Sequence, residues 1–244
     1  MKMLRNEVAP VPEDRDYGSL GREPTSYNQT SDPYNLYLQL LNMYGRQHWW
    51  PARTKFEVIV GAILTQQTTW PNVELAIRNL RKRGLLNMHK LTNTPMKTLY
   101  HCAHPTGFYR QKAKRLRDVA RTLLKKCDGN LSIYFKKPLE EVRQDLLDMN
   151  GIGKETADSI LLYAANKVIL PVDAYTLRLM DRVERRRGDY DSIQSYLETK
   201  LPREIDVYKE FHALIVEHAK RTCNGTKPRC TKCSVNPCLY HLPR

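Results

Sequence analysis

Asp173 lies in Pro171-Val172-Asp173-Ala174-Tyr175, directly ahead of the helix-like run AYTLRLMDRVERR. A carboxylate there can cap the helix by accepting one of its unpaired N–H groups. Upstream, Gly151-Ile152-Gly153-Lys154-Glu155-Thr156-Ala157 separates two apolar runs, PLEEVRQDLLDMN and DSILLYAANK. Glycines admit backbone angles closed to other residues and put no side chain in the way. Their N–H groups, with the positive end of a helix starting near Glu155, can hold a phosphate. Lys154 adds charge, Thr156 can add a hydroxyl, and Ile152 fits as an apolar pin. Such contacts grip a nucleic-acid backbone without reading sequence. Taken singly, an ordinary helix cap and an ordinary helix–helix turn also account for these residues.

Four of the six cysteines crowd into the last stretch of chain with the spacing Cys223-x6-Cys230-x2-Cys233-x4-Cys238. Thiolates are soft ligands for zinc or for an iron–sulfur cluster. A zinc ribbon normally shows two CxxC pairs, and only one is present. Cys102 and Cys127 stand alone and read as ordinary thiols. All three tryptophans fall in two places, Trp49-Trp50-Pro51 and Trp70. Together with Tyr175 they offer aromatic faces on which a base can stack.

The elements that must position these residues are helices. Pro33 suits a first helical position, with Asp32 before it as a cap, and Gly45 ends the helix. FEVIVGAILTQQ is too apolar for a surface helix and belongs at the centre. WPNVELAIRNLRKRG, TPMKTLYHCA, YRQKAKRLRDVARTLLKKCDG, PLEEVRQDLLDM, TADSILLYAAN, AYTLRLMDRVERR and VYKEFHALIVEHAKRTC follow. No run alternates with period two, so the fold class is all-α. Residues 1–31 are polar, rich in Pro and Gly and without period, which predicts a disordered tail.

The chain has 244 residues, with 40 Lys and Arg against 26 Asp and Glu, a formal charge of +14. That excess predicts a polyanionic partner. No apolar run approaches the ~18 residues of a membrane span. The N-terminus lacks the apolar core of a signal peptide, which predicts an intracellular protein.

Taken together, MNGIGKETADSILLYAANKVILPVDAYTLRLMDRV resembles the helix-hairpin-helix and aspartate segment of the endonuclease III superfamily of DNA glycosylases. FEVIVGAILTQQTTWPNVELAI resembles its early helix and Gln-containing loop. HPTGFYRQKAKRLRDVARTLL resembles the segment before the hairpin helices, and the cysteine tail resembles the iron–sulfur module. The likeness runs over roughly residues 34–240. GAILTQQTTWPNVE, GIGKETADSILLYA and VDAYT are most similar to the branch that includes 3-methyladenine glycosylases.

The resemblance implies a six-helix barrel over 54–170 with its hairpin at 149–156, and a second lobe of 32–53 plus 171–244. It implies an intracellular monomer acting on double-stranded DNA that carries a damaged base. Asp173 would be catalytic, stabilising the sugar cation that forms as the N-glycosidic bond breaks, or activating water. Trp49, Trp50, Pro51, Trp70 and Tyr175 would hold the flipped base. Gln67 would fill the gap it leaves, and Gly151, Gly153, Lys154 and Thr156 would bind the DNA backbone. Cys223, Cys230, Cys233 and Cys238 would hold a 4Fe–4S cluster, with zinc as the alternative. Lys227, Arg229 and Lys232 would face DNA phosphates.

Three departures stand out. Glu155 occupies the position of the lysine with which bifunctional members attack the sugar. A carboxylate cannot form that imine, so a water-using glycosylase of alkylated purines, without lyase activity, is expected. Asn150 replaces the usual proline, and the last cysteine gap is four residues where the family has five. The rival readings are a bifunctional glycosylase/lyase for oxidised pyrimidines, a non-catalytic iron–sulfur DNA-binding protein, and a zinc-ribbon protein.

Overall fold

The computed structural model describes residues 32–241; the tail expected over 1–31 lies outside them. Among the described residues there are twelve α-helices and no strand. They are α1 (Pro33–Tyr44), α2 (Lys55–Leu64), α3 (Trp70–Lys82), α4 (Met88–Asn93), α5 (Met96–Ala103), α6 (Tyr109–Cys127), α7 (Leu131–Tyr134), α8 (Leu139–Leu147), α9 (Lys154–Tyr163), α10 (Ala174–Glu184), α11 (Tyr190–Lys200) and α12 (Ile205–Arg221).

Two almost completely buried helices are central. Nearly every residue of α2 and α9 is buried, and α2 packs against α3, α6 and α9. Glu57 on α2 is buried too, and it pairs with Arg81 of α3. α2 is shorter than its apolar run suggests. It stops at Leu64 and frees Gln66 and Gln67 for a loop in which Gln67 takes a left-handed conformation, φ 52°. Lys112 of α6 fixes that exit from within the core. Its Nζ donates to Leu64 O at 2.9 Å and to Thr106 O at 2.8 Å.

α1 lies across α12, with Tyr37 edge-on to Phe211 at 6.0 Å. Asp32 precedes α1, but its side chain makes no capping bond. Gln39 of α1 exchanges two hydrogen bonds with the backbone of Asn236, at 2.9 and 2.8 Å. The start of the described chain thus holds the cysteine segment.

A buried ionic knot sits behind the hairpin. Asp158 of α9 accepts from Arg143 Nε at 2.7 Å and Nη2 at 3.1 Å, and from Tyr190 and Gln194 of α11 at 2.7 and 2.8 Å. Gln194 also donates to Leu170 O at 2.7 Å, in the segment that leads to Asp173. α4, α7 and α11 have no counterpart among the helices expected from sequence. The first two are only six and four residues long, and α11 buries only Ile193 and Leu197, too few to make a visible stripe.

Candidate active site

Asp173 caps α10, and its two carboxylate oxygens face different neighbours. Oδ1 accepts from the Thr176 N–H at 2.7 Å and from the Thr176 hydroxyl at 2.8 Å. Oδ2 lies 3.7 Å from Nε2 of His212 on α12. Burial pushes the pKa of Asp173 up, but His212 and Thr176 outweigh it and hold the carboxyl below its ordinary value. The group is therefore an anion at neutral pH although it is buried.

Asp173 opens onto a cavity of about 620 Å³ lined by Trp49, Trp50, Trp70, Tyr175 and His212, with Gln67 and Glu155 at its edge. Trp49 and Trp50 stack at 5.4 Å, and Trp70 stands edge-on to both at 5.9 and 5.3 Å. On its other side Trp49 stacks on His212 at 5.7 Å. Trp50 lies against α2 at Gly61, where a Cβ would come within 3.1 Å of the indole. Pro51, expected in the same wall, is exposed and does not line the cavity. The Ala52 N–H bonds back to Trp50 O at 2.9 Å, a tight three-residue turn that carries the proline ring outward.

Glu155 sits at the mouth, on the first turn of α9. The surrounding protein, and then the Asp173 charge, push its pKa up. No lysine occupies that position, although Lys220 lines the same cavity from the end of α12.

A second groove, about 660 Å³, adjoins the first through Gln66, Gln67, Glu155 and Thr156. It brings together Gln67, Gly151, Gly153, Lys154 and Thr156 with Lys112 and Arg115 of α6. Gly151 and Gly153 differ in what they require. Gly151 has φ +82°, and a Cβ there would fall on the Arg115 guanidinium. Gly153 is extended, φ −93° and ψ 177°, so its backbone would suit other residues, and a Cβ there would point into open space. Ile152 is buried, as a pin should be. The Thr156 hydroxyl is already engaged within the groove wall. It accepts from Gln66 Nε2 at 3.0 Å, while the same amide donates to Gly151 O at 3.1 Å and its oxygen takes a bond from Arg115. Lys154 is paired with Asp191. Phe108, left-handed and 62% exposed, stands at the rim.

Cys223, Cys230, Cys233 and Cys238 line one further cavity, of about 170 Å³. Among the described residues no three His, Cys, Asp or Glu side chains close on a single point as ligands of one ion would. Arg182 Nη1 approaches Cys223 Sγ at 3.3 Å and also donates to Asn224 O at 2.6 Å. His218 stands 3.9 Å from Cys233 Sγ, and its Nδ1 meets the Tyr44 hydroxyl at 2.9 Å. Lys227 and Lys232 are exposed beside it, as is Arg229.

His212, Tyr163, Gln66, Lys112 and Arg115 are not picked out by sequence reasoning. Each sits inside a helix or next to a flagged residue with no local pattern of its own. Only the packing of distant helices brings them to the site.

Known proteins resemble this arrangement over most of its length. The HhH-GPD superfamily of base excision DNA repair proteins matches residues 60–203. A Methanocaldococcus jannaschii protein, "Putative DNA repair glycosylase MJ1434", is 46% identical over 206 residues, 83% of this chain and 93% of that one. Endonuclease III of Thermotoga maritima is 27% identical over 84% of this chain and 92% of its own. Among solved structures, the H. pylori 3-methyladenine DNA glycosylase MagIII bound to 1,N6-ethenoadenine is 31% identical. It superposes with a TM-score of 0.69 over 78% of this chain and 98% of its own. An endonuclease III–DNA covalent intermediate shares the fold, with a TM-score of 0.74 at 20% identity, over 85% of this chain and 94% of that one. Over half of its length the chain matches this family, and it belongs to the HhH-GPD superfamily of base excision DNA repair proteins.

Proposed function

We propose that the protein is a monofunctional DNA glycosylase that releases alkylated purines such as 3-methyladenine from double-stranded DNA. The observation that carries this reading is a single cavity in which stacked tryptophans face an ionised, buried Asp173. An alkylated purine is electron-poor, and electron-rich indole faces bind it better than they bind an ordinary base. As its glycosidic bond breaks, positive charge builds on the sugar, and the Asp173 carboxylate stabilises it and orients water. The relative that acts on 3-methyladenine supports the same substrate class. Glu155, in place of a nucleophilic amine, leaves water as the acceptor of the sugar.

In this reading DNA lies in the cleft between a barrel of residues 54–170 and a second lobe of 32–53 with 171–244. The backbone crosses the hairpin groove, where Gly153 leaves room for close approach and Arg115 lines the wall beside Gly151. Gln67 and Phe108 face the duplex from the rim, and the protein works as a monomer in the compartment that holds the DNA.

The cysteine cavity fits a 4Fe–4S cluster better than one zinc ion, because the four thiols surround a space and do not close on a point. Cys223, Cys230, Cys233 and Cys238 would hold it. When bound, it supplies structural cross-linking of the C-terminal segment. Arg182 and His218 pack around the thiols and orient them.

The test is single-turnover base release from duplexes carrying 3-methyladenine, hypoxanthine, uracil, a G·T mismatch, 8-oxoguanine or thymine glycol, read before and after alkali. The expected result is alkylpurine release that Asp173→Asn abolishes, with strand nicks only after alkali. Nicks without alkali would mean that an amine such as Lys220 attacks the sugar. No release from any duplex would leave a DNA-binding protein without this chemistry.

A further inference from the structure

Behind Asp173 runs a buried line of polar groups, from His212 to Tyr163 and Lys209 O. The Tyr163 hydroxyl lies 2.8 Å from Nδ1 of His212 and 3.2 Å from Lys209 O. The other ring nitrogen, Nε2, faces Asp173 Oδ2 at 3.7 Å. Tyr163 and His212 are both buried, and the imidazole also forms one layer of the aromatic wall, 27° from the plane of Trp49.

We propose that His212 is a positioning residue for the reaction: it holds the second oxygen of Asp173 in place and ties the carboxylate to the wall on which the base stacks. This rests on the assignment of Asp173 as the group that faces the sugar. Thr176 already fixes Oδ1, so a partner at Oδ2 removes the remaining rotation of the carboxylate. A fixed anion stabilises a cation at one carbon far better than a rotating one. A proton on Nε2 points at Asp173 in two arrangements. In one, a neutral ring accepts from Tyr163 at Nδ1. In the other, an imidazolium donates to Tyr163, whose own proton goes to Lys209 O. The third arrangement would aim a bare lone pair at a carboxylate and is repulsive.

The charged and titratable groups around the ring are few. Glu155 and Tyr163 face it from α9, Asp173 from α10, and Glu210 lies on α12 itself, bound to the Gln47 N–H. His212 is among the groups that lower the Asp173 pKa against burial, so its loss should raise that pKa. The acid limb of the rate profile should then move to higher pH.

The experiment measures single-turnover release of the best-cleaved lesion as a function of pH for wild type, D173N, H212F, H212Q and Y163F. H212F keeps a ring on Trp49 and loses both polar contacts. Its plateau rate should fall about tenfold, the loss expected when a charged group gives up one partner. Half-saturation should change little, and the acid limb should shift upward. H212Q keeps a donor and should recover part of the plateau. Y163F keeps the packing and should show a smaller drop of the same kind. H212F with the plateau and acid limb of wild type would overturn the inference. If H212F does not fold, Y163F decides by the same two readouts. D173N as active as wild type would instead sink the reading of Asp173 itself; inactive D173N beside unchanged H212F would sink only the role of His212.

Discussion

At Gly151, φ +82° and the Arg115 guanidinium laid over the Cα leave no place for a side chain, whereas Gly153 has ordinary angles and open space. Gly151→Ala should lower stability by about 1–2 kcal/mol through the left-handed backbone and displace Arg115. Gly153→Ala should stay within about 1 kcal/mol of wild type, the cost of a poorer helix cap. Both should weaken binding to undamaged duplex, so thermal melts beside binding curves separate a folding glycine from a contact glycine. Equal loss of stability in the two variants would contradict the distinction. Lys112 gives a pH-dependent signal at the same scale. Burial, with a smaller push from Arg115, lowers its pKa from 10.5 to about 8. The unfolded chain therefore binds more protons than the folded one between those values, and stability rises with pH across that window. Lys112→Met removes the titration. The difference in melting temperature between wild type and Lys112→Met should move in favour of wild type from pH 8 to pH 10.

The helices meet the site through a small number of buried ties. Asp158 joins α8, α9 and α11, and through Gln194 it reaches the segment before Asp173. Arg143 Nε contacts it at 2.7 Å, and the Asp158 side chain is fully buried. Removing one member of such a pair strands the other charge, which typically costs ~3–5 kcal/mol. Asp158→Ala should therefore destabilise the fold by about 3 kcal/mol in urea melts. It should also slow base release, because the Asp173 segment loses its backing. Gln66 is the corresponding tie between the loop after α2 and the hairpin. Gln66→Ala should uncouple them with little change in melting temperature, read as weaker duplex binding.

Across the whole molecule, the two ends of the described chain hold each other. α1 lies on α12, Gln39 bonds Asn236, and Tyr44 bonds both His218 and Thr222 at 2.9 Å. Opening the cysteine cavity should therefore loosen α1 as well. In hydrogen exchange of the purified protein, Cys238→Ser should release protection in 33–44 and 230–241 together, with α2 and α9 unchanged. Loss confined to 230–241 would show that α1 is held by α12 alone. The excess of positive charge acts at this scale too. Neutralising one cation that pairs with a DNA phosphate should reduce the slope of log affinity against log salt by about 0.9.

The sequence by itself determined the all-α class, the core helices, the glycine break, the capping aspartate and the cysteine spacing. These are local facts: a helical period, a cap residue before an apolar run, and a fixed interval between thiols each leave a mark within a few residues. The four closely spaced cysteines gather round one cavity. That Asp173 shares a cavity with three tryptophans from far upstream is decided by the packing of the helices. What only the tertiary structure decided is which neighbours close over those residues. Nothing near His212 in the chain indicates that α12 brings its imidazole between Tyr163, Trp49 and Asp173. Nothing near Thr156 indicates that Gln66 takes its hydroxyl, or that Asp191 takes Lys154. Pro51 is carried out of the pocket by the three-residue turn from Trp50 to Ala52. Such contacts depend on helices meeting across long stretches of chain, and a periodic pattern says which face of a helix is buried but not what lies against it.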